Sequence, residues 1–137
     1  MTWIVDTCVV IDILEADPVF GLKSAKLLQK HAGEGLAVSP ISMVELAPAF
    51  SGDLREQRRF LDMAGISCSE NWTHADTESA YLGWDLYVGA RRARKSVRRP
   101  VADILIGAFA SNRRGLLTRN GTDFARWFPG MTILEPY

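Results

Sequence analysis

The feature that most limits the possible folds of this chain is a short apolar run near its start that ends in an acid. Trp3–Val5 favour a strand covered on both faces, because aromatic and β-branched side chains pack well on a pleated surface. Asp6 follows at once, and residues 9–14 then place apolar side chains at helical spacing. In an open parallel sheet, ligands bind outside the carboxyl ends of the strands. Asp6 therefore predicts a functional site at that edge.

Strands and helices alternate along the rest of the 137 residues. Short apolar runs predict further strands at residues 36–38, 65–68, 116–118 and 131–134. Cap and proline chemistry predicts helix starts at Asp17 with Pro18, at Ser39 with Pro40, at Thr73 and at Pro100. This order predicts the α/β class, a three-layer α/β/α sandwich with a mainly parallel central sheet, in a single domain spanning residues 1–137.

The composition predicts a protein that folds without a metal or a disulfide and occurs in a reducing compartment. At 47% hydrophobic residues, the chain can bury a core without a metal or disulfide staple. Its two cysteines, Cys8 and Cys68, are too few for a disulfide framework or a zinc knuckle. No signal peptide or membrane span is evident, so we expect a cytoplasmic protein. Trp72, Tyr87 and Phe50 could serve partner contacts, although core packing is the more ordinary use of such side chains.

The net charge of zero conceals an asymmetry between the two parts of the chain. Residues 1–90 hold thirteen acids and six bases, whereas residues 91–137 hold three acids and ten bases. The bases concentrate in one run: Arg91, Arg92, Arg94, Lys95, Arg98 and Arg99. The run could bind an RNA backbone, or it could be a solvated helix end in which bases complement the macrodipole.

Three acids interrupt apolar runs: Asp6, Glu45 and Asp103. Each has an ordinary explanation. Asp6 could bond nearby backbone amides, Glu45 could complete a capping box with Ser42, and Asp103 could complement the dipole of a helix begun at Pro100. Three acids in apolar settings are nevertheless costly unless they share a cation.

The predicted topology brings these acids to one edge of the sheet, where Asp123 could add a fourth carboxylate. Carboxylate oxygens suit Mg²⁺, with Mn²⁺ as a substitute, rather than Zn²⁺. His31 and His74 are more simply explained as surface or helix-cap residues. A magnesium ion held by carboxylates commonly shares a substrate phosphate, which points to phosphoryl chemistry.

Four motifs in order resemble the PIN domain, and most closely the VapC-type toxins of bacterial toxin-antitoxin pairs. They are VDT at residues 5–7, SMVEL at 42–46, VADILIGA at 101–108 and LTRNGTDF at 117–124. The resemblance implies a magnesium-dependent ribonuclease in which Asp6, Glu45 and Asp103 hold the metal. It further implies an RNA substrate, a cognate antitoxin protein and a homodimer, within a larger toxin-antitoxin assembly or alone.

The chain departs from the resemblance at the fourth acidic position. Many relatives place an acid directly after Thr-Arg, where this chain has Asn120. We therefore assign the fourth acidic role to Asp123 and a supporting ligand role to Asn120. Thr7 and Thr118 are expected to support the metal ligands or to contact phosphate.

Two other classes of protein remain as alternatives. A phosphoaspartyl phosphatase would require a second acid two residues after Asp6, where Cys8 stands. A catalytically silent RNA- or protein-binding module on the same fold would keep the acids as a structural network.

Overall fold

The computed structural model describes residues 1–94 and 100–137 and contains one five-stranded sheet. Its strands are β1 (Trp3–Val5), β2 (Leu36–Ala37), β3 (Ile66–Ser67), β4 (Gly115–Leu117) and β5 (Ile133–Leu134). The strand order is β3-β2-β1-β4-β5, and every neighbouring pair is parallel. The fold is therefore of the predicted α/β class.

Helices cover both faces of this sheet. The α-helices are α1 (Thr7–Leu14), α2 (Gly21–His31), α3 (Pro40–Glu45), α4 (Leu54–Met63), α5 (His74–Arg94), α6 (Val101–Ser111) and α7 (Gly121–Trp127). Two short 3₁₀ helices lie at Ala32–Glu34 and Ala47–Phe50.

The alternation of side chains along β1 divides the core in two. Trp3 and Val5 pack with buried side chains of α1, α2 and α4, whereas Ile4 packs with Ile106 and Phe109 of α6. Successive strand residues point to opposite faces, so a run of three apolar residues supplies both layers. This explains why an uninterrupted apolar run, rather than an alternating one, marks β1.

The topology creates a switch point between β1 and β4. From β1, the chain continues through β2 and β3 on one side and returns to β4 on the other. Val5 pairs with Leu117, so Asp6 and Thr118 both stand immediately beyond the carboxyl ends of these two strands. A ligand crevice is expected at this position in an open parallel sheet.

Two helices begin at the same edge. Ser39, two residues after the end of β2, caps α3 by accepting a hydrogen bond from the amide of Ser42 at 3.1 Å. Only residues 112–114 separate α6 from the start of β4, so α6 runs antiparallel to the strands. The first turn of α6, with Asp103, consequently lies at the carboxyl edge of the sheet.

The predicted helix start at Pro18 is wrong, because α2 begins three residues later, at Gly21. The Asp17 carboxylate accepts hydrogen bonds from the amides of Val19 and Phe20, at 2.9 and 2.8 Å. These bonds form a turn in place of the first helical turn. The predicted capping box at Thr73 is confirmed, since Thr73 and Asp76 bond each other's amides reciprocally.

The large aromatic side chains mentioned above pack within the protein. Tyr87 is buried, Trp72 stacks on Phe109 and Phe50 packs against Phe60. Both cysteines are free. Within the described residues, no helix combines the length and apolarity needed to cross a membrane.

Candidate active site

Asp6 lies at the centre of the carboxyl edge and caps α1. Its Oδ1 accepts a hydrogen bond from the Thr7 amide at 2.8 Å, and its Oδ2 accepts one from Thr118 Oγ1 at 2.7 Å. The Cys8 thiol donates to Oδ2 at 3.4 Å. The side chain is only 4% exposed. The suggestion that Asp6 bonds nearby amides thus accounts for one of its oxygens, and the other faces side chains.

The environment of Asp6 disfavours its negative charge. Burial raises the pKa of Asp6 above its ordinary value, and the charge of Glu45 raises it further. Bonds from Thr118, Cys8 and the Thr7 amide oppose this rise without reversing it. Outside residues 91–99, no basic side chain forms a hydrogen bond or an ion pair with Asp6. A buried acid beside a second acid is a pair that a bound cation would stabilise.

Thr7 connects Glu45 to Asp6. Its Oγ1 lies 2.6 Å from Glu45 Oε1 and 2.8 Å from Ser42 Oγ, so its hydroxyl proton can serve either oxygen. Glu45 is the last residue of α3 and is exposed. The capping-box explanation for Glu45 is wrong, because Ser39 caps the Ser42 amide and Glu45 bonds Thr7 instead.

Asp103 and Asp123 reach the same edge from two different helices. Asp103 stands in the first turn of α6 and Asp123 in the first turn of α7, and both are half-buried. Asn120 occupies the N-cap position of α7 without a cap bond from its exposed side chain, and its backbone amide donates to Thr118 Oγ1 at 3.0 Å. Thr118 thereby links the Asn120 backbone to the Asp6 carboxylate.

The donor set suits a hard cation without forming a closed cage. Among residues 1–94 and 100–137, no three side chains of the His, Cys, Asp or Glu type form a group that could hold a metal ion. Asp6 and Glu45 do form a pair of oxygen donors that interact electrostatically. Mg²⁺ is commonly held by one or two carboxylates together with waters and substrate phosphates, and this pair fits that mode of binding.

An ion pair near this edge was not predicted from the sequence. Asp12 is buried in α1, and its Oδ2 lies 3.2 Å from Nε of Arg119. Burial raises the pKa of Asp12, while the Arg119 charge lowers it. The signal was available, because Asp12 also interrupts an apolar run at residues 9–14.

Cys8 also contributes to this site. Burial and the charge of Asp6 raise the pKa of its thiol to about 12, so the thiol stays protonated and acts as a donor.

The remaining predicted residues are placed as follows. His31 packs its ring against Trp3 and pairs with Glu34, and His74 is exposed at the start of α5. Arg91, Arg92 and Arg94 belong to the last turn of α5. Lys95, Arg98 and Arg99 lie outside the described residues, and the predicted RNA-binding role of the whole run stays a prediction.

Comparison with known proteins shows the fold. No family model matches the chain, and neither does any curated protein sequence. A chain in the crystal structure of VapBC2 from Rickettsia felis bound to a DNA fragment from their promoter superposes with a TM-score of 0.70. The match covers 98% of each chain at 16% sequence identity.

The chain therefore shares its fold with a chain of the VapBC2 structure, over nearly the whole length of both. An identity of 16% is too low for residue roles to be transferred from one chain to the other. The chemistry of the site therefore depends on its own side chains. In this fold, the switch point coincides with the buried Asp6.

Proposed function

We propose that this protein is a VapC-type toxin, a magnesium-dependent endoribonuclease that a cognate antitoxin neutralises. The observation that carries the proposal is the buried Asp6 beside Glu45 at the switch point of the sheet, without a basic partner outside residues 91–99. Carboxylates kept together in this way raise the energy of the free protein, and a divalent cation would relieve that cost.

Each residue of the site has a specific role in this proposal. Asp6, Glu45 and Asp103 would hold the ion, with Asp123 as the fourth acid and Asn120 as a supporting ligand. When bound, Mg²⁺, or Mn²⁺ in its place, supplies a Lewis acid for phosphodiester hydrolysis. Thr118 fixes the orientation of Asp6 by donating to Oδ2, and Thr7 fixes that of Glu45. The Cys8 thiol adds a further donor to Asp6.

The proposal includes the remaining features implied by the resemblance. The protein would act in the cytoplasm on RNA, as a homodimer, and its antitoxin would cover the carboxyl edge in a larger assembly. The basic run at residues 91–99 would bind the RNA backbone.

The decisive experiment is RNA cleavage by the purified protein under controlled metal conditions. We expect cleavage to stop with EDTA, to return with Mg²⁺ or Mn²⁺, and to be lost in a folded Asp103→Asn variant. Asp62→Asn provides the matched control, because Asp62 is an exposed acid on α4, which packs against β3 at the far side of the sheet. Undiminished cleavage by Asp103→Asn would refute the assignment of the site.

One observation favours a catalytically silent binding module as the second candidate. No three acids converge within the described residues, as a permanently assembled metal centre would require. The same experiment separates the two functions, because a silent module would cleave no RNA at any concentration of Mg²⁺ or Mn²⁺.

A further inference from the structure

Helix α2 carries a basic surface that is distinct in sequence from the run at residues 91–99. Three of the four lysines of the chain lie on this helix: Lys23, Lys26 and Lys30. Spacings of three and four residues place them on one side of the helix. All three are exposed, and none forms an ion pair with a described residue. Their charges are therefore available to a ligand.

These lysines line a groove of about 400 Å³ between α2 and the residues that follow β5. The ring of Tyr137 stands on the opposite wall and is 81% exposed. Glu135 is the acid of this groove, and one of its oxygens accepts a hydrogen bond from the Tyr137 hydroxyl at 2.7 Å. Several positive charges facing an exposed aromatic ring form the kind of surface on which a nucleic-acid strand places its phosphates and stacks a base.

The basic surface is continuous with the candidate active site. Arg119 directly follows Thr118, the residue that bonds Asp6. The Arg119 guanidinium carbon lies 4.8 Å from the centre of the Phe20 ring. Phe20 directly precedes α2 and stands three residues before Lys23. Basic side chains thus extend from the carboxyl edge of the sheet along α2, although Arg119 is paired with Asp12.

We infer that Lys23, Lys26 and Lys30 form a track for the phosphate backbone of a single-stranded RNA that leaves the active site. This inference rests on the proposed function, because the bound strand is the substrate itself. A single strand is the form that fits, since its unpaired bases can reach the Tyr137 ring while its phosphates face the lysines.

The test is the salt dependence of RNA binding, measured in EDTA so that the strand is not cleaved. A labelled single-stranded RNA oligonucleotide is titrated with the wild type and with a triple variant, Lys23→Gln, Lys26→Gln and Lys30→Gln. Each lost phosphate contact lowers the slope of log affinity against log salt by about 0.7. Between about 50 and about 200 mM salt, the wild type should therefore lose roughly 20-fold more affinity than the variant.

Two further variants separate position from charge. The first variant carries Arg55→Gln, Arg58→Gln and Arg59→Gln and so removes the same charge from α4. This helix packs against β3, the outer strand on the side of the sheet away from β5. This control should keep the wild-type slope. Replacement of the three lysines by arginine keeps the charge and should also keep the slope.

An unchanged slope in the triple glutamine variant would overturn the inference, and so would a wild type that does not bind the RNA. The first outcome is also expected if these lysines bind an acidic protein instead. Binding and cleavage are read separately. A reduced slope without any cleavage would support the track and refute the proposed ribonuclease, and cleavage with an unchanged slope would do the reverse.

Discussion

Two buried aspartates at opposite edges of the sheet show how differently the same side chain can be accommodated. Asp6 at the carboxyl edge is 4% exposed, and Asp76 near the amino edge is fully buried. Asp76 lies 3.0 Å from Nη1 of Arg113, and the Arg113 guanidinium carbon lies 3.4 Å from the centre of the Phe109 ring. Asp6 accepts hydrogen bonds from a hydroxyl, a thiol and one backbone amide, and Glu45 lies nearby.

The pKa values of the two acids move in opposite directions. Burial alone would raise the pKa of Asp76, but bonds from Arg113, the Thr73 amide and Asn112 outweigh it, and the pKa lies below its ordinary value. For Asp6, the effect of burial exceeds that of the hydrogen bonds, and the pKa is raised. The comparison separates an acid that completes the fold from an acid whose charge is left for a ligand to neutralise.

Neutralising each acid in turn should give the largest difference in the free energy of unfolding. Asp76→Asn removes the carboxylate 3.0 Å from Nη1 of Arg113, which is only 11% exposed, and leaves Glu70 Oε2 at 3.4 Å from Nε. We expect a loss of about 1.5–3 kcal/mol in the free energy of unfolding, because a hydrogen bond to a charged group is lost. Asp6→Asn removes a charge that its surroundings disfavour and keeps a good helix cap, so stability should be unchanged or higher. Urea unfolding of both variants measures this, and a strongly destabilised Asp6→Asn would break the contrast.

The pH dependence of stability should identify the Asp76 contribution. Because the folded-state pKa of Asp76 is lowered, its contribution is complete above the unfolded pKa of about 3.9 and disappears as the pH falls through the folded value. The stability gap between the wild type and Asp76→Asn should therefore be widest near neutral pH and close in acid. Unfolding curves at a series of pH values test this, with Asp62→Asn as the exposed control. A gap that does not vary with pH would contradict the assignment to ionised Asp76.

The gain in stability with Mg²⁺ should depend on Asp6 and not on Asp76. A ligand that binds only the folded protein adds about 1.4 kcal/mol when its concentration is tenfold above its Kd. The wild type and Asp76→Asn should both gain stability with Mg²⁺, whereas Asp6→Asn should gain much less. Thermal unfolding with and without the ion measures the difference, independently of cleavage. An equal gain in all three proteins would place the ion elsewhere.

Removal of a single neutral donor should have the smallest effect. Thr118→Val keeps the shape of the side chain and removes the hydroxyl that donates to Asp6, at a cost of about 1 kcal/mol in the free energy of unfolding. Cleavage should fall by roughly 10- to 100-fold because Asp6 loses its orientation. Thr118→Ser retains the hydroxyl and should recover most of the activity. If valine and serine behaved alike, the hydroxyl would have no orienting role.

Much of the fold could be read from local patterns. The apolar run at Trp3–Val5, the Ser39 cap and the reciprocal Thr73–Asp76 box depend on neighbours in sequence, and the structure has all three. The wrong helix start at Pro18 was also a local matter. There the Asp17 side chain competed for the backbone amides more effectively than a helical turn.

Less of the candidate site than of the fold could be predicted from the sequence. The sequence by itself determined that acids occur where apolar residues would ordinarily stand, and so indicated Asp6, Glu45 and Asp103 as candidates. Only the tertiary structure decided which partners those acids have. It brought Thr118, Thr7 and Arg113 within hydrogen-bond distance of Asp6, Glu45 and Asp76 respectively. These pairs are 112, 38 and 37 residues apart in the sequence. Whether a buried carboxylate meets a hydroxyl or a guanidinium is settled by sheet order and helix packing, which no local pattern encodes.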